Sequence, residues 1–231
     1  MGALRQMFDD LCPETTYSGM LYHGTQLSGA IDIVGAGGFD TRCTEGGHHT
    51  GLPLVSTSQN DNVLTLFGDN AGTGFVFLVK EDAPLRIRKL HDFFHALATA
   101  YESSVDLLAD MFESDSKWEF AAVHIGAATL DGQIHGLSPD TFMELAGEID
   151  GFVFPGFDSQ HPRAEAELGL TQRGCQRIWP MLDGILLDGE EFSSEDGLKK
   201  LGEMHCEEEA VRLAGRSDTR EKIESRGIGI S

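Results

Sequence analysis

The chain has 231 residues, enough for one well-filled core with room for an inserted subdomain. Its hydrophobic (40%) and charged (24%) fractions are those of a globular protein. With 38 acidic against 17 basic residues the formal charge is -21, which disfavours tight nucleic-acid binding because that affinity rests on Lys and Arg displacing counterions from phosphates.

Residues 1–16 read as a short helix or arm ending at Cys12-Pro13. This opening has acids where a secretion signal has an apolar core, and Gln6 stands where myristoylation wants Ser or Thr. No apolar run is long enough to span a bilayer, so a cytoplasmic protein without membrane contact is expected. Residues 19–23 read as a strand, followed by a helix over "GAIDIV" that Ser28 caps. "GAGGFDTRCTEGGHHTG" is a glycine-rich loop. Leu52 to Ser56 forms a strand, and Ser58 or Asn60 caps a helix over "DNVLTLFG". "GFVFLVK" at 74–80 is a buried strand.

Residues 90–113 carry Phe93, Phe94, Leu97, Tyr101, Leu108 and Phe112 at helical spacing, and a Ser-Pro signal opens another helix at "SPDTFMELAGE". The block from about 88 to 147 is therefore expected to be a helical insertion. Strands return in "DGFVF", "AEAELGLT" and "MLDGILLD", and a polar helical tail follows from about 193. The four cysteines, Cys12, Cys43, Cys175 and Cys206, lack zinc-like spacing and read as reduced thiols. A metal set from Cys43, His48, His49, His205 and Cys206 is not favoured, and His91 and His95 read as half-buried helix residues.

Three groups carry chemistry. Tyr22-His23-Gly24-Thr25 comes after one strand, Ser56-Thr57-Ser58 after another, and Glu165 and Glu167 stand two apart in "RAEAEL". In a strand, residues two apart share a face, so two such carboxylates would crowd and couple. Each group also has an ordinary reading: a turn histidine, a helix-capping hydroxyl cluster, and an exposed edge strand.

Together, "LYHGT…GGF", "GLPLVSTSQN…LFG…GFVFLVK" and the late E-x-E resemble the NAD-dependent ADP-ribosyltransferase family, over roughly residues 19–80 and 148–190. The resemblance implies one α+β domain over 1–231, with a pair of small twisted sheets around an NAD cleft. It implies that His23 bonds an adenosine ribose hydroxyl, that the Gly24 backbone pairs with the nicotinamide carboxamide, and that Thr25 supports the turn. Ser56, Thr57 and Ser58 would orient the glutamate and the nicotinamide ribose. Phe67 or Tyr22 would stack on nicotinamide. Glu167 would be the catalytic acid and Glu165 would face the acceptor.

NAD is the implied co-substrate and a protein the implied acceptor, in a setting such as a toxin, an injected effector or a phage protein acting on its host. The combination of His23 with Ser56-Thr57-Ser58 mixes two subclasses of the family, and the basic set of a tRNA 2'-phosphotransferase is not evident. Two other readings stay open: an NAD glycohydrolase on the same fold, and a non-catalytic acidic interaction or decoy protein.

Overall fold

The computed structural model describes residues 8–10, 12–42, 52–68, 71–90, 139–154 and 167–225. The helices expected over 90–113, and Cys43, His48, His49, His91, His95 and Glu165, lie outside these residues, as does most of the expected insertion.

The fold is mixed α/β. Strands β1 (Glu14–Tyr17), β2 (Gly19–Gly24), β3 (Val55–Ser58), β4 (Gly74–Val79), β5 (Leu85–Lys89), β6 (Gly151–Val153), β7 (Glu167–Leu170), β8 (Leu182–Leu187) and β9 (Glu190–Ser193) are joined in the order β1-β5-β6-β7-β3-β2-β4-β8-β9. All neighbours are antiparallel except β5 and β6. The sequence leads one to expect two sheets; the observed order is continuous, but β2 and β3 share only the pair Tyr22↔Ser58. A five-strand block and a four-strand block therefore meet at one point.

Alternation explains the strands that carry the core. Phe75, Phe77 and Val79 fall on one face of β4 and are buried with Leu21, Leu168 and Ile185. The helix α1 (Leu27–Gly35) closes this cluster with Ala30 and Ile31. Ser28 lies inside α1 and does not cap it; Gln26 holds the cap position without a side-chain bond. Ser58 and Asn60 do not cap the short α2 (Val63–Leu66) either. The Ser58 hydroxyl accepts from the Asn60 amide at 3.0 Å and the Asn60 side chain from the Asn62 amide at 3.3 Å, so both order the approach to α2.

A second cluster gathers Phe8, Cys12, Leu52, Leu54, Leu90 and Phe152 around α3 (Pro139–Ala146), whose proline sits at the first helical turn. The strand expected to run through Thr171 ends at Leu170, because the Thr171 hydroxyl accepts from the Gly174 amide at 3.2 Å and starts α4 (Gln172–Ile178). A short 3-10 turn (Trp179–Met181) leads to β8. Asp188 and Gly189, with φ of 51° and 80°, make the tight turn to β9, which suits an Asp-Gly pair. The last helix, α5 (Ser194–Ser225), starts where the Ser193 hydroxyl accepts from the Asp196 amide at 3.1 Å and packs Leu198, Leu201 and Met204 on the first cluster. No helix among the described residues is long and apolar enough to cross a membrane.

Asp150 ties α4 to the five-strand block. Its carboxylate is fully buried, accepts from the Arg86 amide at 2.7 Å and pairs with Arg173 (3.1 Å) and Arg177. Removing it leaves two guanidinium groups and a backbone amide without this partner. Asp150→Ala should cost about 3 kcal/mol in urea-induced unfolding, the scale for breaking a buried ion pair whose arginines still reach water. A loss below about 1 kcal/mol would show that the network does not anchor α4.

Candidate functional site

The single pair between β2 and β3 shapes the site. If the antiparallel register continued past Tyr22↔Ser58, Gly24 would stand opposite Ser56. The ladder stops instead, and the His23 side chain reaches across: its Nδ1 lies 2.8 Å from the Ser56 carbonyl oxygen. A carbonyl only accepts, so Nδ1 carries the proton. In the neutral ring this leaves Nε2 as an acceptor.

Ser56 also holds the glutamate. β3 and β7 pair with Ser58 opposite Glu167 and Ser56 opposite Gly169, which makes Ser56 and Glu167 diagonal neighbours on one face. The Ser56 hydroxyl donates to Glu167 Oε1 at 2.5 Å. One residue thus links the imidazole, through its carbonyl, to the carboxylate, through its hydroxyl. Ser56 is exposed and Glu167 half-buried, so the pair is open to a ligand.

The other two hydroxyls act differently. Thr57, on the opposite face, donates to the Leu168 carbonyl at 2.7 Å and secures β3 to β7. Ser58 is buried and serves the turn to Asn60. Tyr22 stands in the same cross-strand row as Ser58 and Glu167. Its hydroxyl pKa is raised by burial first and by the Asp61 carboxylate second.

Gly24 has a packing reason to be glycine. A Cβ there would come within 1.9 Å of the Val63 carbonyl, so α2 lies directly against the end of β2. Thr25 follows, with its amide bonded to the Thr73 carbonyl at 3.1 Å. Phe67, just past α2, is 51% exposed beside Leu66 at 64%, which leaves its ring free of the core. Glu165 lies outside the described residues. His205 and Cys206 sit on α5, and among the described residues no group of three or more His, Cys, Asp or Glu could hold a metal ion.

The surroundings of His23 escaped the sequence reading. Phe39 meets the imidazole edge to face, with centroids 4.7 Å apart, and Phe75 lies 6.3 Å away. This apolar wall strips water from the ring and lowers its pKa; the Ser56 hydrogen bond opposes the shift but is the smaller effect. The signal available in sequence was Gly37-Gly38-Phe39, an aromatic delivered by two flexible residues.

Comparison of the chain with protein-family models, curated proteins and solved structures finds no match.

His23 should titrate below the ordinary imidazole value of about 6.5, with Nδ1–H as the neutral tautomer, in long-range proton–nitrogen NMR spectra. Between the two midpoints the unfolded chain binds the proton and the native chain does not. The histidine's contribution to stability is therefore fully present above about pH 6.5 and is lost as pH falls below it. His23→Gln should flatten that part of the Tm-against-pH curve. A midpoint at or above 6.5 would mean that the ring is solvated.

Proposed function

We propose that the chain is a mono-ADP-ribosyltransferase that cleaves NAD and transfers ADP-ribose to a protein acceptor. The observation that carries this reading is the double use of Ser56, whose carbonyl accepts from the His23 imidazole and whose hydroxyl donates to the Glu167 carboxylate. The family resemblance assigns these two groups to opposite parts of NAD, and their linkage through one residue gives a fixed spacing between them.

On this reading His23 Nε2 accepts from an adenosine ribose hydroxyl. The Gly24 backbone, at the edge where the β2–β3 ladder has stopped, pairs with the nicotinamide carboxamide. The nicotinamide–ribose bond breaks with both electrons leaving on nicotinamide, which departs neutral. Positive charge builds on the sugar, as in glycoside hydrolysis. Glu167, held by Ser56, lies against that charge and accepts from the 2'-hydroxyl. The acceptor nucleophile then bonds to the ribose C1' and gives up its proton to water. Preorganisation favours this assignment: a carboxylate fixed by a hydroxyl needs little reorientation as charge develops.

Phe67 supplies an exposed ring beside α2, and Tyr22 shares the row of Ser58 and Glu167; Phe67 is the better stacking candidate because its face is free. The fold reading is likewise an ADP-ribosyltransferase-like one, supported by the split of the strands into two blocks at Tyr22↔Ser58.

Glu167→Gln keeps the shape and an oxygen for Ser56 but removes the charge. Nicotinamide release from NAD should fall by about 10²–10³-fold, the scale of losing one electrostatic stabiliser, with thermal stability little changed. Wild-type release that rises with added cell lysate supports transfer. Release indifferent to lysate, with free ADP-ribose as product, points to water as acceptor. No release and no NAD binding by calorimetry would overturn the enzyme reading in favour of an acidic interaction protein, whose binding to a basic partner would weaken steeply with salt.

A further inference from the structure

The segment after α1 is built to hold one ring. Gly37 and Gly38 have φ of 79° and 139°, which L side chains rarely adopt, and a Cβ on Gly38 would lie 3.3 Å from the Trp179 indole. The chain therefore turns sharply against Trp179 and sends Phe39 inward. There the ring is 7% exposed, backed by Trp179 at 5.6 Å and by Phe75 and Phe77, each at 5.8 Å.

The far side of Phe39 is clamped by Gln172. Its Oε1 accepts from the Thr41 amide at 3.0 Å and the Thr41 hydroxyl at 3.1 Å, and its Nε2 donates to the Phe39 carbonyl at 3.3 Å. Gln172 opens α4, two residues after Leu170 ends the strand that bears Glu167. The helix that follows the carboxylate's strand thus fixes the segment that touches the imidazole.

His23 needs such a support. Its side-chain hydrogen bond, from Nδ1 to the Ser56 carbonyl, sets the ring's direction and its tautomer, but water reaching the open seam would compete for it. The edge-to-face contact with Phe39, at an interplanar angle of 70°, packs an apolar ring against the imidazole and resists its swinging away from Ser56.

We propose that Phe39, clamped by Gln172, is a positioning residue that holds the His23 ring on the Ser56 carbonyl and so keeps Nε2 as the acceptor for a ribose hydroxyl of NAD. The proposal rests on the reading of His23 as an NAD-binding group. Sequence reasoning gave Phe39 no role and Gln172 none.

The test compares wild type, Phe39→Leu, Phe39→Tyr and Gln172→Ala by nitrogen-15 NMR of His23 and by NAD kinetics. Leucine fills the space without a ring edge. In Phe39→Leu the single Nδ1–H pattern should give way to mixed tautomers, and KM for NAD should rise roughly tenfold with kcat little changed, as when one binding hydrogen bond is lost. Phe39→Tyr should restore both, and Gln172→Ala should move both in the same direction by less. A merely structural role would alter Tm and leave the tautomer alone.

If Phe39→Leu does not fold, Gln172→Ala, at a half-buried surface clamp, decides by the same two readouts. A folded variant with the wild-type His23 spectrum overturns the proposal whatever its activity. A disturbed spectrum in a protein whose wild type neither binds nor cleaves NAD leaves the positioning of His23 standing and removes the NAD reading.

Discussion

The two hydrogen bonds of Ser56 are the constraint on which the arrangement of the site depends. Where β2 and β3 part, the sheet gives up ladder bonds, and every unmet backbone group there is costly if water cannot reach it. The His23 imidazole supplies a donor to the Ser56 carbonyl in place of the next strand's amide. The same residue spends its hydroxyl on Glu167. The seam where the ladder stops is thus bonded by side chains, the imidazole to the Ser56 carbonyl and the Ser56 hydroxyl to Glu167.

The seam stays open because its two sides are held by different means. On the β2 side the packing is backbone against backbone. Gly24 lies under Val63, Gly74 faces the His23 carbonyl, and Gly68 sits between the carbonyls of Leu64 and Thr73, each leaving no space for a Cβ. Buried Thr73 adds bonds from its carbonyl to Thr25 and from its amide to Leu64, while its hydroxyl accepts from the Asp188 amide. On the other side, β7 continues into α4, which Asp150 draws onto the block through Arg173 and Arg177. Phe39 and Gln172 bridge the two sides, so the imidazole is set by contacts from both.

How much of this could be read from the sequence follows from where each signal resides. β2, β4 and β8 announce themselves by apolar runs, and α1 by Leu27, Ala30, Ile31 and Val34 at helical spacing. The missed elements lack that signature. β1, "ETTY", is polar and largely exposed at a sheet edge, and β5, "LRIRK", buries Arg88, whose guanidinium reaches the Cys12 carbonyl at 2.5 Å and lies over Phe8. α4 was hidden because Gly174 argues against a helix, yet it is needed there: a Cβ would meet the Asp150 carbonyl at 1.8 Å. The alternation around Glu167 was legible; the partner that holds it was only implied by resemblance. The Phe39–His23 contact depends on residues 16 apart in the chain and a clamp 133 residues away, which no local pattern encodes.

Charge bears on the same site. A protein of formal charge -21 is a poor host for a dinucleotide's diphosphate at long range, but salt screens that repulsion beyond about 8–10 Å. At contact distance, local groups decide. Those that the seam offers are a carboxylate, hydroxyls, backbone edges and an imidazole whose pKa burial lowers. On the proposed reading such a set suits NAD unevenly: the carboxylate meets the nicotinamide ribose, to which the pyridinium's positive charge passes as the bond breaks, and neutral groups meet the other ribose. A protonated His23 would replace the Nε2 acceptor by a donor. On that reading a neutral ring favours one end of the ligand, and the apolar wall of Phe39 and Phe75, backed by Trp179, lowers the ring's pKa.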